Sequence, residues 1–414
     1  MSIQMSDCTA TSRPPVIILG VGITALGVAR ILGERGVPAF AAESSDPLVR
    51  RSRWFRTLAD GPIPDGVSLG TWLSGLSLAS AVLIPCSDHW VSEVARLHPS
   101  LRTRFPASIP ATDTLERFVD KGRFAALLGE TGTPHPFTRE IDRPADLASI
   151  PDRVFSSAIL KPRNSQRFLA QFGVKAVFVS SRDDAAIQLE SFIDAGHPVI
   201  LQEYVPGPAT NHYFVDGFVD RLGEVRALFV RQRLRMFPLD FGNSTAMVSV
   251  PASAAAPAVA AITALLRRTR YRGMFSAEFK IDSRDGEFKL LEVNARAWWY
   301  VHFAARCGVD VCQMAVDDAL ARPVASVATY AVGRRLVFPY LDYFAYRDLR
   351  RRGQLSRWSW LRSWFGAMQP TFFVRDPVPG TFAFATVMAI FVVRRASDLV
   401  ALILSAFADF GSTT

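Results

Sequence analysis

The sequence predicts an α/β chain that opens on a parallel sheet, continues into a larger mixed α+β region, and ends in an extension of different character. Three observations carry this. A strand, glycine-rich turn, helix and strand follow one another from Pro15 to Ala42, the start of an open parallel sheet. Two stretches, Phe214–Arg231 and Phe275–Val293, alternate apolar and polar residues around tight turns, as antiparallel hairpins do. From about residue 330 the composition shifts toward Arg, Trp and Phe.

The elements follow in order. Pro15–Leu19 is a short buried-strand pattern, Gly20-Val21-Gly22 the turn, Ile23–Arg35 the helix and Val37–Ala42 the second strand. Ala81–Pro85 supplies a further strand and Ser92–Leu97 a helix, with the domain closing near residue 110. Asp113–Gly129 reads as one helix, capped by Thr112 or Asp113, with Leu115, Phe118, Val119, Phe124 and Leu127 on its apolar face. Ser157–Lys161, Val174–Ser180 and Val199–Tyr204 read as strands. The hairpins turn at Asp220–Gly223 and Ser283–Gly286, and Ala254–Thr269 between them is helical. Ala304–Ala321 is mostly helical. Gly380–Val393 and Leu399–Phe407 are apolar runs separated by Arg394-Arg395, each too short to span a bilayer at ~20 residues. A buried helix closing the fold is the expected arrangement there, and an amphipathic membrane-surface helix the alternative.

At about 150 residues per domain, a chain of 414 residues holds two to three domains. With 49% apolar and 21% charged residues it can bury a large core. The net charge is +9, carried by scattered arginines with no basic-aromatic stripe, so nucleic acid is not an expected partner and anionic small molecules are. Only five lysines occur, Lys121, Lys161, Lys175, Lys280 and Lys289, and their survival in so arginine-rich a chain marks them for attention. Cys8, Cys86, Cys307 and Cys312 form no CxxC, which argues against zinc and disulfides and for a reducing compartment. Met1–Pro15 is polar and lacks an apolar signal core, so the expected location is cytoplasmic.

The chemistry concentrates in Glu278-Phe279-Lys280 and Glu292-Val293-Asn294-Ala295-Arg296. Strand alternation puts Glu278 with Lys280, and Glu292 with Asn294 and Arg296, on one face each. The Asp285-Gly286 turn brings the strands side by side, so two carboxylates and an amide oxygen converge. Such hard oxygen donors suit Mg²⁺ carrying a nucleoside triphosphate. A separate reading comes from Gly20, Gly22 and Gly27 with Glu43, which approach a dinucleotide fingerprint imperfectly, since Ala25 stands at the third glycine. A nicotinamide-dependent oxidoreductase is therefore an alternative.

The acid at 278 followed by Glu292-x-Asn294-x-Arg296 resembles the signature of the ATP-grasp superfamily. Other motifs recur in the order that family shows them: Asp120–Phe124 with Gly132–Pro136, Leu160-Lys161-Pro162, and Leu201–Gly207. The resemblance covers about residues 15–325. Within the superfamily the chain most resembles carboxylate–amine ligases of the D-aspartate-ligase-like type, through Arg231–Pro238 with Phe241-Gly242, Asn294–Trp298 and Asp376–Pro379.

The resemblance implies an ATP-grasp fold: a leader over 1–14, a pre-ATP-grasp domain over 15–112, an ATP-binding domain over 113–325 with a lid lobe at about 150–205, and an extension over 326–414. It implies ATP and Mg²⁺ as cofactors, with Mn²⁺ able to substitute. Lys121 and Lys161 would hold the α- and β-phosphates. Gln202, Glu203, Tyr204 and Val205 would read the adenine edge, and Asn211 stands where the family often has a ribose-binding acid. Glu278, Glu292 and Asn294 would bind the metal. Arg296, Arg233 and Arg235 would face the γ-phosphate and the acyl phosphate. The loop Arg163–Gly173 is poor in glycine where the family's is rich, so an ATP-binding regulatory or membrane-associated module without turnover is a second alternative. Trp298, Trp299, Tyr300 and His302 are candidates for the acceptor pocket, and Cys86–His89 for substrate contact. The implied partners are a small carboxylate and an amine, amino acids among them. The reading allows peripheral membrane contact through 380–410 and a homodimer.

Overall fold

The computed structural model describes residues 14–43, 46–162, 176–239 and 241–389. The leader up to residue 13, the loop Arg163–Gly173, Lys175, Arg394-Arg395 and Leu399–Phe407 lie outside the described residues.

Three sheets organise the chain. In the first, β1 (Val16–Leu19) lies between β2 (Ala39–Ala41) and β3 (Val82–Pro85), all parallel. Every residue of β1 and β3 is buried, as a strand covered on both faces requires. The helix Gly22–Glu34 follows the glycine turn. The helix that follows β3 spans Asp88–Ala95 rather than Ser92–Leu97, because Ser87, two residues past the strand, caps it by accepting from Trp90 N–H.

The expected single helix over 113–129 is two, Thr112–Val119 and Lys121–Thr131. Asp120 breaks it. Its carboxylate accepts from the N–H groups of Gly122 and Arg123, both at 3.0 Å, and so starts a second helix. Thr112 does not cap the first; its hydroxyl donates to Ala95 O. Similarly, 304–321 resolves into Val301–Arg306 and Val311–Ala319, parted at Gly308, whose φ of +106° no other residue type adopts readily.

The second sheet is antiparallel, in the order β4 (Thr138–Ile141), β7 (Val199–Glu203), β5 (Ala158–Pro162), β6 (Val177–Val179). It takes in β4, ahead of residue 150. The third has six antiparallel strands in the order β12 (Phe288–Asn294), β11 (Gly273–Ile281), β8 (His212–Val219), β9 (Val225–Phe237), β10 (Asn243–Ser249), β13 (Arg335–Val337). The helix Ala256–Arg268 covers one face of this sheet through Ala258, Ile262, Leu265 and Leu266.

The first hairpin is longer than its hydrophobic pattern. β9 runs on from Arg231 to Phe237 because Arg231, Arg233 and Arg235, which share one face, each meet a buried or half-buried carboxylate. The partners are Asp216 at 2.7 Å, Glu278 at 3.0 Å and Asp342 at 2.8 Å.

The extension is strapped to both ends of the molecule. Its helix Pro339–Arg351 buries Asp342, which takes Nε and Nη2 of Arg235, the Thr245 hydroxyl, and the indole N–H of Trp360 and Trp364 from the following helix Arg357–Trp364. Farther on, Asp376 takes Nε of Arg30 at 2.9 Å, the Ser52 hydroxyl and the Arg53 N–H. The Arg30 guanidinium, fully buried, also donates to the carbonyls of Pro370 and Thr371. Residues 377–389 are helical, but not the buried closing helix expected: Phe384 is 67% and Met388 46% exposed.

Asp376→Ala removes the carboxylate from a buried guanidinium and leaves its charge uncompensated. The expected loss is about 3–5 kcal/mol of unfolding free energy, read as a lowered urea midpoint.

Candidate functional site

The second and third sheets face each other across a cleft, and the motif residues meet there. β11 and β12 set Glu278 directly opposite Glu292, and directly opposed residues share a face. A β-bulge lies just beyond: Phe279, next to Glu278 on β11, pairs with Leu290, so Leu291 is an extra residue on β12. It shifts the register so that Leu291 and Glu292 both reach the cleft.

One cavity of about 230 Å³ is lined by Lys121, Lys161, Gln202, Glu203, Tyr204, Val205, His212, Arg233, Lys280, Glu278 and Glu292, among others. A second, of about 540 Å³, shares Lys121, Lys161, Gln202 and Glu292 and extends to Asp88, His89 and His135.

The electrostatics divide the two acids. Burial raises the Glu278 carboxyl, but Arg233 and His212 outweigh it and hold the group well below the usual carboxylate range. Both bond to its Oε1, Nη2 of Arg233 at 3.0 Å and Nδ1 of His212 at 2.8 Å. Burial and the Arg233 charge bring His212 down to about 4, so it is neutral at physiological pH and donates through Nδ1. Glu292 is pushed upward by burial, with Lys121 opposing and Glu278 reinforcing the shift. It accepts no hydrogen bond among the described residues and opens onto the cleft.

The lysines are desolvated cations. Burial and the neighbouring Lys121 bring Lys161 down to about 8, with Glu292 and Glu278 opposing. Lys121 is lowered by burial against the pull of Glu292, and its Nζ donates to Pro162 O. Gln202 Oε1 takes Lys161 Nζ at 2.7 Å while its own amide donates to Thr138. Gln202 therefore positions the lysine.

Tyr204 and Phe241 line the smaller cavity, and Phe178 packs on both. Phe178, Tyr204 and Phe241 come from three segments, with ring centroids 4.7–6.2 Å apart. Lys280 sits 4.6 Å from the Tyr204 ring centroid. The N–H groups of Glu203 and Tyr204 already bond Phe137 O and Ser157 O, at 2.8 and 2.7 Å. Val205 N–H makes no hydrogen bond among the described residues. The Glu203 carboxylate is held by Arg284 at 2.6 Å.

Other expected site residues stand elsewhere. Arg235 is spent on Asp342, away from the cleft, and Arg233 alone of the β9 arginines lines the cavity. Asn211 Nδ2 donates to Ile281 O and Ser283 Oγ, tying the hinge to the β11–β12 turn. Arg296 lies beside Glu292 but is bonded to Asp88 at 2.8 Å and to Asn294 Oδ1 at 2.8 Å. Trp298, Tyr300 and His302 are core residues, and the Tyr300 hydroxyl donates to Ser244 O. His212 went unnoticed in the sequence. Its only signal is a position one residue past Asn211, opposite Lys280 on β11, which pattern alone does not reveal.

The donor set fits a magnesium ion. Among the described residues no three His, Cys, Asp or Glu side chains close on one point. Two opposed carboxylates with an amide nearby match a cation that keeps its waters and binds largely through substrate phosphates. The seat required for a dinucleotide is filled: Asp46 accepts the Gly22 N–H at the start of the first helix, where a pyrophosphate would sit.

No family model matches the sequence. The chain is 26% identical over 321 residues to the D-aspartate ligase of Enterococcus faecium (strain Aus0004), covering 73% of this chain and 76% of that one. Its fold is similar to the L-amino acid ligase of Bacillus licheniformis, at a TM-score of 0.56 and 14% identity over 74% of each chain. It is similar also to the biotin carboxylase domain dimer of the Hydrogenobacter thermophilus 2-oxoglutarate carboxylase in complex with MgADP, ADP and bicarbonate. That match has a TM-score of 0.57 and 15% identity, covering 77% of this chain and 73% of that one.

Lys161→Met removes an ammonium whose burial favours its neutral form, so the variant should melt above the wild type at pH 7. The folded lysine releases its proton near 8 and the unfolded one only near its ordinary value, so wild-type stability rises with pH between the two. The advantage of the variant should therefore shrink above pH 8, which melting curves across pH 6–10 would check.

Proposed function

This chain has an ATP-grasp, carboxylate–amine-ligase-type fold, and from that premise we propose that it joins a small carboxylate to an amine at the expense of ATP. The observation that carries the reading is the opposition of Glu278 and Glu292 across β11 and β12 in one cavity with Lys121, Lys161 and Arg233.

The nucleotide would lie with its base beside Tyr204 and Phe241, where Val205 N–H, unbonded among the described residues, would meet a ring nitrogen. Lys121 and Lys161 would neutralise phosphate oxygens, and their desolvation strengthens that attraction. Glu278, fixed by Arg233 and His212, and Glu292 would hold Mg²⁺, with Asn294 the third donor. When bound, the ion neutralises charge on the β- and γ-phosphates and aligns them for in-line transfer. Arg233 reaches the cleft and would stabilise charge on the transferring phosphoryl group. Arg296, held by Asp88, would face the carboxylate side.

The carboxylate oxygen attacks the γ-phosphorus, the bond to the β–γ bridging oxygen breaks, and ADP leaves. The amine nitrogen then attacks the acyl carbon, phosphate departs with the C–O electron pair, and the amine gives up a proton. The relationship to D-aspartate ligase supports an amino acid as one substrate, within the D-aspartate-ligase-like branch.

The test is ADP and phosphate release from Mg-ATP against D- and L-amino acids, singly and in pairs, with mass spectrometry of the products. Release that requires a pair, with a product lighter by one water than their sum, supports the ligase. Nucleotide binding with no release for any pair would replace it with a binding module. In the active enzyme, Glu292→Gln should lower turnover by about a hundredfold or more with an unchanged circular dichroism spectrum.

A further inference from the structure

The exposed apolar side chains are unevenly placed. Of the sixteen large hydrophobic residues exposed among the described residues, nine lie between Tyr343 and Met388. The helix Arg357–Trp364 concentrates them. It has two faces of opposite use. Trp360 and Trp364, four apart, turn inward and give their indole protons to the buried Asp342 carboxylate at 2.8 Å each. Trp360 also stacks on Tyr346 with centroids 4.3 Å apart. The helix is thereby locked about its own axis. Trp358, Leu361 and Phe365, spaced three and four apart, then point away from the protein, 79%, 40% and 89% exposed. The helix has no fully buried residue.

Charge decides what this face fits. Residues 343–366 hold six arginines, Arg347, Arg350, Arg351, Arg352, Arg357 and Arg362, against one exposed-side acid, Asp348. Asp348 is shared between Arg347 and Arg351. Arg352, Arg357 and Arg362 are exposed and have no carboxylate partner among the described residues. A Trp–Leu–Phe ridge flanked by unpaired guanidinium groups combines shallow apolar insertion with attraction to anionic headgroups, and long arginine side chains reach those headgroups while their stems stay in the interface. The next helical segment, 377–389, exposes Phe384 and Met388, four apart, and the sequence beyond it stays apolar up to Arg394-Arg395. No helix among the described residues is long and apolar enough to cross a membrane, so the contact is one of lying on the surface.

We propose that the extension docks this protein on an anionic lipid bilayer through Trp358, Leu361 and Phe365, with Arg352, Arg357 and Arg362 at the headgroups. The contact is independent of the ligase reading, since none of these residues lines the cleft.

The test is co-sedimentation of the full chain with vesicles of phosphatidylcholine alone and of equimolar phosphatidylcholine and phosphatidylglycerol. Binding should be about tenfold or more stronger to the anionic vesicles and weaken with added salt. The variant Trp358→Ser/Phe365→Ser should lose about tenfold in vesicle binding while keeping its melting temperature, because these two side chains are 79% and 89% exposed. Arg352→Glu/Arg357→Glu should lose the preference for anionic lipid. Three outcomes overturn the proposal: no binding to either vesicle, equal binding by the ridge variant, or a wild-type dimer in light scattering that the ridge variant makes monomeric. The last would make the face an interface between copies.

Discussion

Three guanidinium groups on one face of β9 hold the molecule's working parts together. Arg231 pairs with Asp216 inside the six-stranded sheet, Arg233 with the cleft acid Glu278, and Arg235 with Asp342 of the extension. Strand alternation spaces them two residues apart, so one run of backbone fixes three distances at once. Each pair is buried enough that losing one partner would strand the other's charge at a cost of about 3–5 kcal/mol. The sheet core, the cleft carboxylate and the extension therefore share one frame. Arg233 and Arg235 make the link concrete, because a shift in the extension that moves Asp342 acts on the strand that also holds Glu278.

That frame also explains how two carboxylates close together can carry different burdens. Glu278 receives Arg233 and His212 and stays ionised, a fixed acid whose position is set by the sheet. Glu292 receives neither and is pushed toward its neutral form. The bulge beside them lets adjacent strand residues serve the cleft together. Lys121 and Lys161 complete the arrangement from the other lobe, at a desolvation cost that a polyanionic ligand would offset.

Much of this was legible in the sequence, for reasons that can be named. Glu278 and Glu292 were readable because a tight turn and two alternating strands specify an opposed pair almost without tertiary information. The scarcity of lysine pointed the same way: Lys121, Lys161 and Lys280 all line the cleft, and Lys289 alone of the described lysines is spent on a hairpin ion pair. What stayed hidden depends on partners remote in sequence. Arg235 looked like Arg233 until Asp342, 107 residues later, claimed it. Gln202 lines the cleft as expected but also takes Lys161, and Asn211 is bonded to Ile281 O, partners 41 and 70 residues away that no local pattern announces. His212 carries no motif, and its role follows only from β8 lying beside β11. The helix break at Asp120 was misread because an acidic residue inside an apolar periodicity resembles a surface position until its carboxylate is seen to cap. The strands β4, β10 and β13 are short or polar and give little alternation to read.

The pair between Arg30 and Asp376 joins residues 346 positions apart in the chain. Its setting bears on how the protein is made. Domains generally fold as they leave the ribosome, first part first. Here the helix Gly22–Glu34 carries a guanidinium whose acceptors, Pro370 O, Thr371 O and Asp376, are synthesised 340 or more residues after it. Until they emerge, the Arg30 guanidinium lacks the acceptors that allow it to be buried. That face of the parallel sheet is therefore sealed by groups translated 340 or more residues after Arg30, and it stays open until the extension has been made.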